Sequence, residues 1–428
     1  MKSREILEYA IDELKKQGAN KVSCSLSNSE KQEVNIEHGE MSLFRTTFNS
    51  SLSIEAFIDN KKGSTSINKI DKDSIDKAVL KVIELSNSSS PDECYDIAEN
   101  QPSQIFSCGS NEADLDMMYD SLSDFNQYTK SKFPKIILEA AILDFTKTKT
   151  LVKNSNGVDF EINKGLYGFS PMFTAKEGKD TSSFNYTGFY AKNISKPLHE
   201  YGMIEQLLKE TEEQIKTFPV ENKFIGDIIV TPDCIGGFLS MIESHISDFM
   251  IISGRSMYKD KLNESIASDK LTLHSHPISE NLDYNYFTTG DDYVCENSTI
   301  IDKGVLKTLL LGIYGSNKTG ENRAVNNGGA HIVEPGDKTL NDMILSVDKG
   351  VLLSRFSGGS PSDNGDFSGV AKNSYYIENG KIKYPISETM ISGNIFQILN
   401  NIKDISKETI NDGSSIYPWI QFSGLTIS

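Results

Sequence analysis

The sequence predicts an α+β protein: N-terminal and central α+β units, then a larger, mainly β C-terminal unit with a long helix near its start. Three observations carry this expectation. Amphipathic stretches with helical spacing stand beside runs of short apolar and polar alternation. Glycine-bearing turn signals break those runs into strands. At 428 residues the chain exceeds the usual size of one hydrophobic core, so two or three domains are expected.

The opening "MKSREILEYAIDELKKQGAN" places Ile6, Leu7, Ala10, Ile11 and Leu14 at helical spacing with charges on the other face. The alternation that follows, broken at "EHGE" and "DNKKGS", reads as a meander whose turns fall on those glycines. "DKDSIDKAVLKVIELSNSSS" then gives a helix with Asp73 as its cap and Ile75, Ala78, Val79, Val82, Ile83 and Leu85 on one face. These elements make an N-terminal α+β domain over 1–90. A polar Ser, Asn, Asp and Pro-rich stretch follows, assigned as a linker over 91–115. A central α+β domain over 116–221 opens with the helix "SLSDFNQYTKSKF", continues as strands with "NSNG" as a hairpin signal, and closes on a helix faced by Met203, Leu207, Leu208 and Ile215. From 222 to 428 the chain is a third domain. It begins with a strand ("GDIIV"), a proline turn and a helix of four or five turns, then short strands with "DKGV" and "ENGK" as hairpin turns.

Composition removes several function classes. Hydrophobic residues make up 37% and charged residues 24%, and no run approaches the roughly 18 apolar residues of a membrane span. The formal charge of −17, with no local basic patch, argues against direct nucleic-acid binding. The opening has no apolar core followed by a small-residue cleavage site, so the cytoplasm is the expected compartment. Five scattered cysteines without CxxC spacing argue against a disulfide framework or a cysteine zinc knuckle.

Three segments invite a chemical reading. "FLSMIESHISDF" carries Glu243 and His245 on a predicted helix, about 200° apart, so both cannot bind one ion from one face. "LTLHSHPISENLDYNYFTTGDDY" carries His274 and His276 two apart on a strand, hence on one face, a geometry that can hold a metal with Asp283, Asp291 or Asp292 supplying oxygens. Pro277 suggests a strand end, where polar side chains are simply exposed. The loop "RFSGGSPSDNGDFSG" over 355–369 does not meet GxSxG, because Ser362 stands at the last glycine, and reads as turns or a backbone surface for an extended peptide. Arg255 could anchor a peptide carboxylate or pair with an acidic residue.

Four stretches occur in the order and spacing of the TldD/PmbA family, also described as modulators of DNA gyrase or peptide-maturation proteins. They are "NIEHGEMSLFRTTFNSSLSIEAFIDNKKGSTSIN", "GRSMYKDKLNESIASDKLTL", "STIIDKGVLKTLLLGIYGSNKTG" and "NSYYIENGKIKYPISETMISGNIFQIL". The chain resembles that family over nearly its whole length, least between 90 and 220. The TldD branch resembles a zinc peptidase with an HExxxH helix and a late cysteine ligand before a glycine. The PmbA (TldE) branch has the same fold without that motif and pairs with TldD. "YPISE" followed by "ISGN" looks more like the PmbA branch.

No HExxH or HExxxH exists here; the equivalent helix holds Leu239 to Ser244 approximately there, and Asp412 stands before Gly413 at the cysteine's place. The resemblance therefore implies a PmbA/TldE-like subunit of a cytoplasmic metallopeptidase complex acting on unfolded peptides. On this reading the chain has no catalytic or metal residue and no cofactor of its own. Zinc is expected in a TldD-like catalytic partner, with a homodimer as the other assembly. Glu243, His245, Arg255 and Asp412 are the substrate-groove candidates. The alternatives are a stand-alone metal-dependent peptidase with its site relocated to His274 and His276, and a non-enzymatic peptide-binding or scaffold protein.

Overall fold

The computed structural model describes residues 2–359 and 361–428, and it is α+β, built on two mixed sheets. The first helix, Ser3–Lys16, buries the five apolar residues that its spacing marks. Strands Lys21–Glu37 and Glu40–Ile58 form a long hairpin whose turn, His38 and Gly39, has positive φ at both residues, as a tight two-residue turn requires.

The next turn differs from expectation. It is made by Asp59 and Asn60, both at positive φ, while Gly63 lies inside the strand Lys61–Ile67. Gly63 serves close approach instead: a Cβ there would lie 2.2 Å from the Val82 carbonyl of the covering helix. That helix, Lys72–Ser88, is capped by Asp71 and not by Asp73; the Asp71 carboxylate accepts from the Ser74 N–H at 2.8 Å. Asp73 lies one position inside the first turn, where its charge favours the helix dipole.

The stretches 1–90 and 116–221 share one sheet. Strand Lys21–Glu37 pairs antiparallel with Ile136–Asn154 through fifteen residue partners, from Ser23 opposite Asn154 to Glu37 opposite Ala140. Ile136–Asn154 pairs in turn with Asp159–Glu177 across the "NSNG" hairpin. Residues 91–115 also differ from a plain linker, because Gln104–Gly109 adds a parallel edge strand beside Asp159–Glu177. Its polar composition hides a strand that needs only three alternate side chains, Phe106 among them, and borrows its pairing from a long neighbour. Helices Ser3–Lys16 and Lys72–Ser88 cover one end of the sheet, and Leu115–Lys132 with Ile204–Glu213 covers the rest.

The second sheet has thirteen strands, with Phe224–Val230 and Ile416–Ile427 at its centre. Its side chains Ile229, Leu352, Ile377 and Trp419 join Phe169, Phe173 and Leu207 in one cluster, so the two sheets share a core. The helix Pro232–His245 packs on the other face, burying Ile235, Phe238, Leu239 and Ile242. Among the described residues no helix is long and apolar enough to cross a membrane.

The edge strand depends on backbone contact at a glycine pair. A Cβ at Gly165 would lie 1.7 Å from the Ser110 carbonyl oxygen. Gly165→Ala should therefore cost about 1–3 kcal/mol of stability and open residues 91–115 to proteolysis. Urea unfolding and limited digestion read both, and a variant as stable and resistant as the parent contradicts the close approach.

Candidate functional site

Strand Phe224–Val230 ends at Thr231, and Pro232 at the first helical position starts the long helix without losing a hydrogen bond. The face of this helix opposite its buried stripe carries Asp233, Gly236, Gly237, Ser240 and Met241, and it lines a groove of about 770 Å³. The segment Asn185–Gly188 from the first sheet forms another wall, and Ser354–Phe356 with Gly358, Gly359 and Pro361 a further one. Ser360 lies outside the described residues.

The groove carries charge of both signs. The Asp233 carboxylate is exposed to the groove, and partial desolvation by the surrounding protein pushes its pKa up to about 6, with Asp412 adding repulsion and Thr187 opposing. Arg355 lies across Tyr186, 3.9 Å from its ring centroid, and donates to the Phe184 carbonyl at 3.1 Å. Behind Ser354, Glu210 is buried and accepts from Gln206 Nε2 at 2.7 Å; burial pushes its carboxyl up to about 7. Burial likewise pushes the Cys234 thiol up to about 12, leaving it a protonated wall residue.

The four groove candidates separate in space. Asp412 lines the groove, its two carboxylate oxygens accepting from the N–H and hydroxyl groups of Ser414 and Ser415 at 2.7–3.1 Å. Glu243 stands one layer behind the wall. His245 is not a groove wall: its ring is buried against Phe396, its Nδ1 accepts from the Met257 N–H at 3.3 Å, and burial lowers its pKa. Arg255 pairs with Asp363 at 2.5 Å and lies against Phe249, outside the groove lining.

His274 and His276 do share a face, their rings stacked at 4.7 Å between centroids. The nitrogens of His274 are already engaged, Nδ1 with Thr299 at 2.9 Å and Nε2 with Glu334 at 3.2 Å. Asp291 accepts from the Ile313 N–H and Asp292 from Ser23 Oγ, so neither is turned to the pair. Among the described residues no three His, Cys, Asp or Glu side chains converge as metal ligands. On the helix face at the groove, Ser240 and Met241 present a hydroxyl and a thioether, a donor set that does not fit a zinc ion.

Sequence reasoning passed over one constellation. Glu243 Oε1 accepts from His331 Nε2 at 2.7 Å and from the Gly329 N–H at 2.8 Å. His331 Nδ1 lies 2.6 Å from the Tyr417 hydroxyl, and Tyr417 lines the groove. The carboxylate fixes the proton on Nε2, so Nδ1 is the acceptor and the phenol donates to it. The histidine is 6% and the tyrosine 8% exposed, and burial raises the phenol pKa, so the hydroxyl keeps its proton. Nothing local marks "AHIVEPG" as chemical: a lone histidine among apolar residues is usually core.

Comparison with known proteins adds family and fold. Residues 22–86 match the model of PmbA/TldA metallopeptidase domain 1, and residues 225–428 that of the PmbA/TldA metallopeptidase C-terminal domain. A metalloprotease PmbA homolog of Haemophilus influenzae is 21% identical, covering 98% of this chain and 96% of its own length. A zinc metalloprotease TldD homolog of Saccharolobus solfataricus is 28% identical over 42% of this chain and 44% of its own. The crystal structure of TldE from Thermococcus kodakarensis superposes with a TM-score of 0.85 at 19% identity, covering 99% of this chain and all of that one. A Bacteroides thetaiotaomicron structure whose name ties it to modulation of DNA gyrase reaches 0.87 at 23% identity, covering 99% and 98%.

Glu210 makes the groove wall sensitive to pH. Its folded pKa of about 7 lies above its ordinary 4.5, so the folded state binds more protons between those values. The stability it contributes is full below pH 4.5, falls as pH rises towards 7 and is level above. Melting temperatures from pH 4.5 to 8 should show Glu210→Gln gaining on the parent as pH rises through that window; a constant difference contradicts the burial argument.

Proposed function

Because the chain belongs to the PmbA/TldD metallopeptidase family, we propose that it acts as a PmbA/TldE-like subunit that binds unfolded peptides while a TldD-like partner supplies the zinc. The observation that carries this reading is the helix Pro232–His245. It presents glycines, Ser240 and Met241 to the groove where a catalytic relative would present its metal-binding histidines and glutamate. Asp412 stands at the place of the third ligand and is held by its own serines. The likeness to TldE supports the fold that this role requires.

The groove suits an extended chain. Its walls carry the backbone of Asn185–Gly188 and of Gly358, Gly359 and Pro361, surfaces that an extended peptide can meet through main-chain hydrogen bonds. Phe356, Phe367 and Tyr186 offer apolar contact, and Asp233 and Arg355 offer charge to side chains or termini. The expected compartment is the cytoplasm, and the complex would act in peptide degradation or maturation.

Metal analysis of the purified chain should find no stoichiometric zinc, and affinity purification from its own cells should bring down a chain carrying HExxxH. Chelator-sensitive peptide cleavage is expected only when the two are combined. One tightly held zinc per chain overturns the division of labour, and a stable homo-oligomer with no such partner favours a scaffold.

A further inference from the structure

The relay Glu243–His331–Tyr417 has the order carboxylate, imidazole, hydroxyl, and its last member lines the groove beside the helix Pro232–His245. Its three residues come from a helix, a short strand and the central strand of the second sheet. Each link is within hydrogen-bond reach, with the base held by a third group, which is the arrangement that activates a nucleophile. The helix backbone runs close to the phenol, where the absence of a side chain leaves room: a Cβ at Gly236 would stand 3.6 Å from the Tyr417 hydroxyl, in van der Waals contact, while one at Gly237 would meet nothing within 4 Å.

We propose that Tyr417 is a metal-independent nucleophile of this chain, with His331 as its base and Glu243 as the positioning residue, acting on activated acyl groups, esters above all, bound in the groove. Tyr417 Oη forms a bond to the acyl carbon as its proton passes to His331 Nδ1, and the new imidazolium is held by Glu243. Collapse of the tetrahedral adduct expels the alkoxide or phenoxide leaving group, which takes that proton from Nδ1. Water then attacks the tyrosyl ester, giving one proton to Nδ1; the phenoxide leaves, recovers the proton, and the acid product is released. No oxidant, metal or cofactor enters, and water is the sole co-reactant.

The proposal extends beyond the peptide-binding role and does not depend on a zinc partner. The test uses the full chain in the presence of a chelator, with an aryl sulfonyl fluoride as the probe and tandem mass spectrometry to locate the adduct. Accessibility alone would favour Tyr119, 53% exposed, over Tyr417 at 8%. The expected result inverts that order: Tyr417 is modified about 100-fold faster than Tyr119, the scale of general-base assistance. Glu243→Gln and His331→Phe should remove most of the advantage without changing the Tyr119 rate. Tyr417→Phe should abolish chelator-insensitive hydrolysis of p-nitrophenyl acetate.

Labelling of Tyr119 ahead of Tyr417 overturns the proposal, as does an unchanged Tyr417 rate in a folded Glu243→Gln chain. The comparison within the parent protein needs no variant to fold. Zinc content and partner capture are separate readouts, so failure of the nucleophile and failure of the subunit role remain distinguishable.

Discussion

The pairing of strand Ile416–Ile427 is the constraint on which the second half of the molecule depends. Its backbone hydrogen-bonds Phe224–Val230, Thr389–Asn394 and Ile402–Asn411 in antiparallel fashion, and meets His331–Val333 in parallel at Ile416. A strand so enclosed must be apolar or fully partnered. Its one fully buried amide, Gln421, donates to Asp227 at 2.9 Å and accepts from Ser346 at 3.3 Å. The strand thereby sets where Tyr417 emerges at the groove, and its parallel contact sets His331 beside it.

The groove follows from the way the two sheets are joined. The Tyr190 N–H donates to the Asp412 carbonyl, and the N–H groups of Asp283 and Tyr284 donate to that of Gly413, each at 2.8 Å. The turn before the central strand is thus tied to the first sheet's edge and to the 277–286 loop. Above that junction the helix Pro232–His245 turns its apolar stripe into the core, which leaves its small and polar face towards Asn185–Gly188. A groove between packed sheets is where ligands commonly bind.

Within that groove the chemistry is divided by depth. Asp233, Arg355 and Asp412 face the open space, where charge meets a ligand, whereas Glu243 and His331 are withdrawn behind Tyr417. Burying an ionisable pair is costly unless its polar atoms find partners. Here the Gly329 N–H and the Tyr417 hydroxyl supply them. His245, by contrast, is buried with one backbone donor and aromatic neighbours, the environment of a histidine that packs.

The sequence by itself determined what is local. Apolar spacing located the first helix and the long helix at 232, and "EHGE", "NSNG", "DKGV" and "ENGK" located four hairpin turns, because periodicity and positive φ are carried by adjacent residues. The family's motifs were likewise legible, being turn signatures in order. Tertiary structure alone decided that 21–37 and 136–154 are neighbours in one sheet, since a register between strands over a hundred residues apart leaves no mark in either. It alone showed that Gly63 serves helix contact and that Gln104–Gly109 is a strand, each set by a distant partner. The relay is the clearest case: Glu243, His331 and Tyr417 stand 88 and 86 positions apart. Only the pairing of their strands and the packing of one helix bring the three within hydrogen-bond reach.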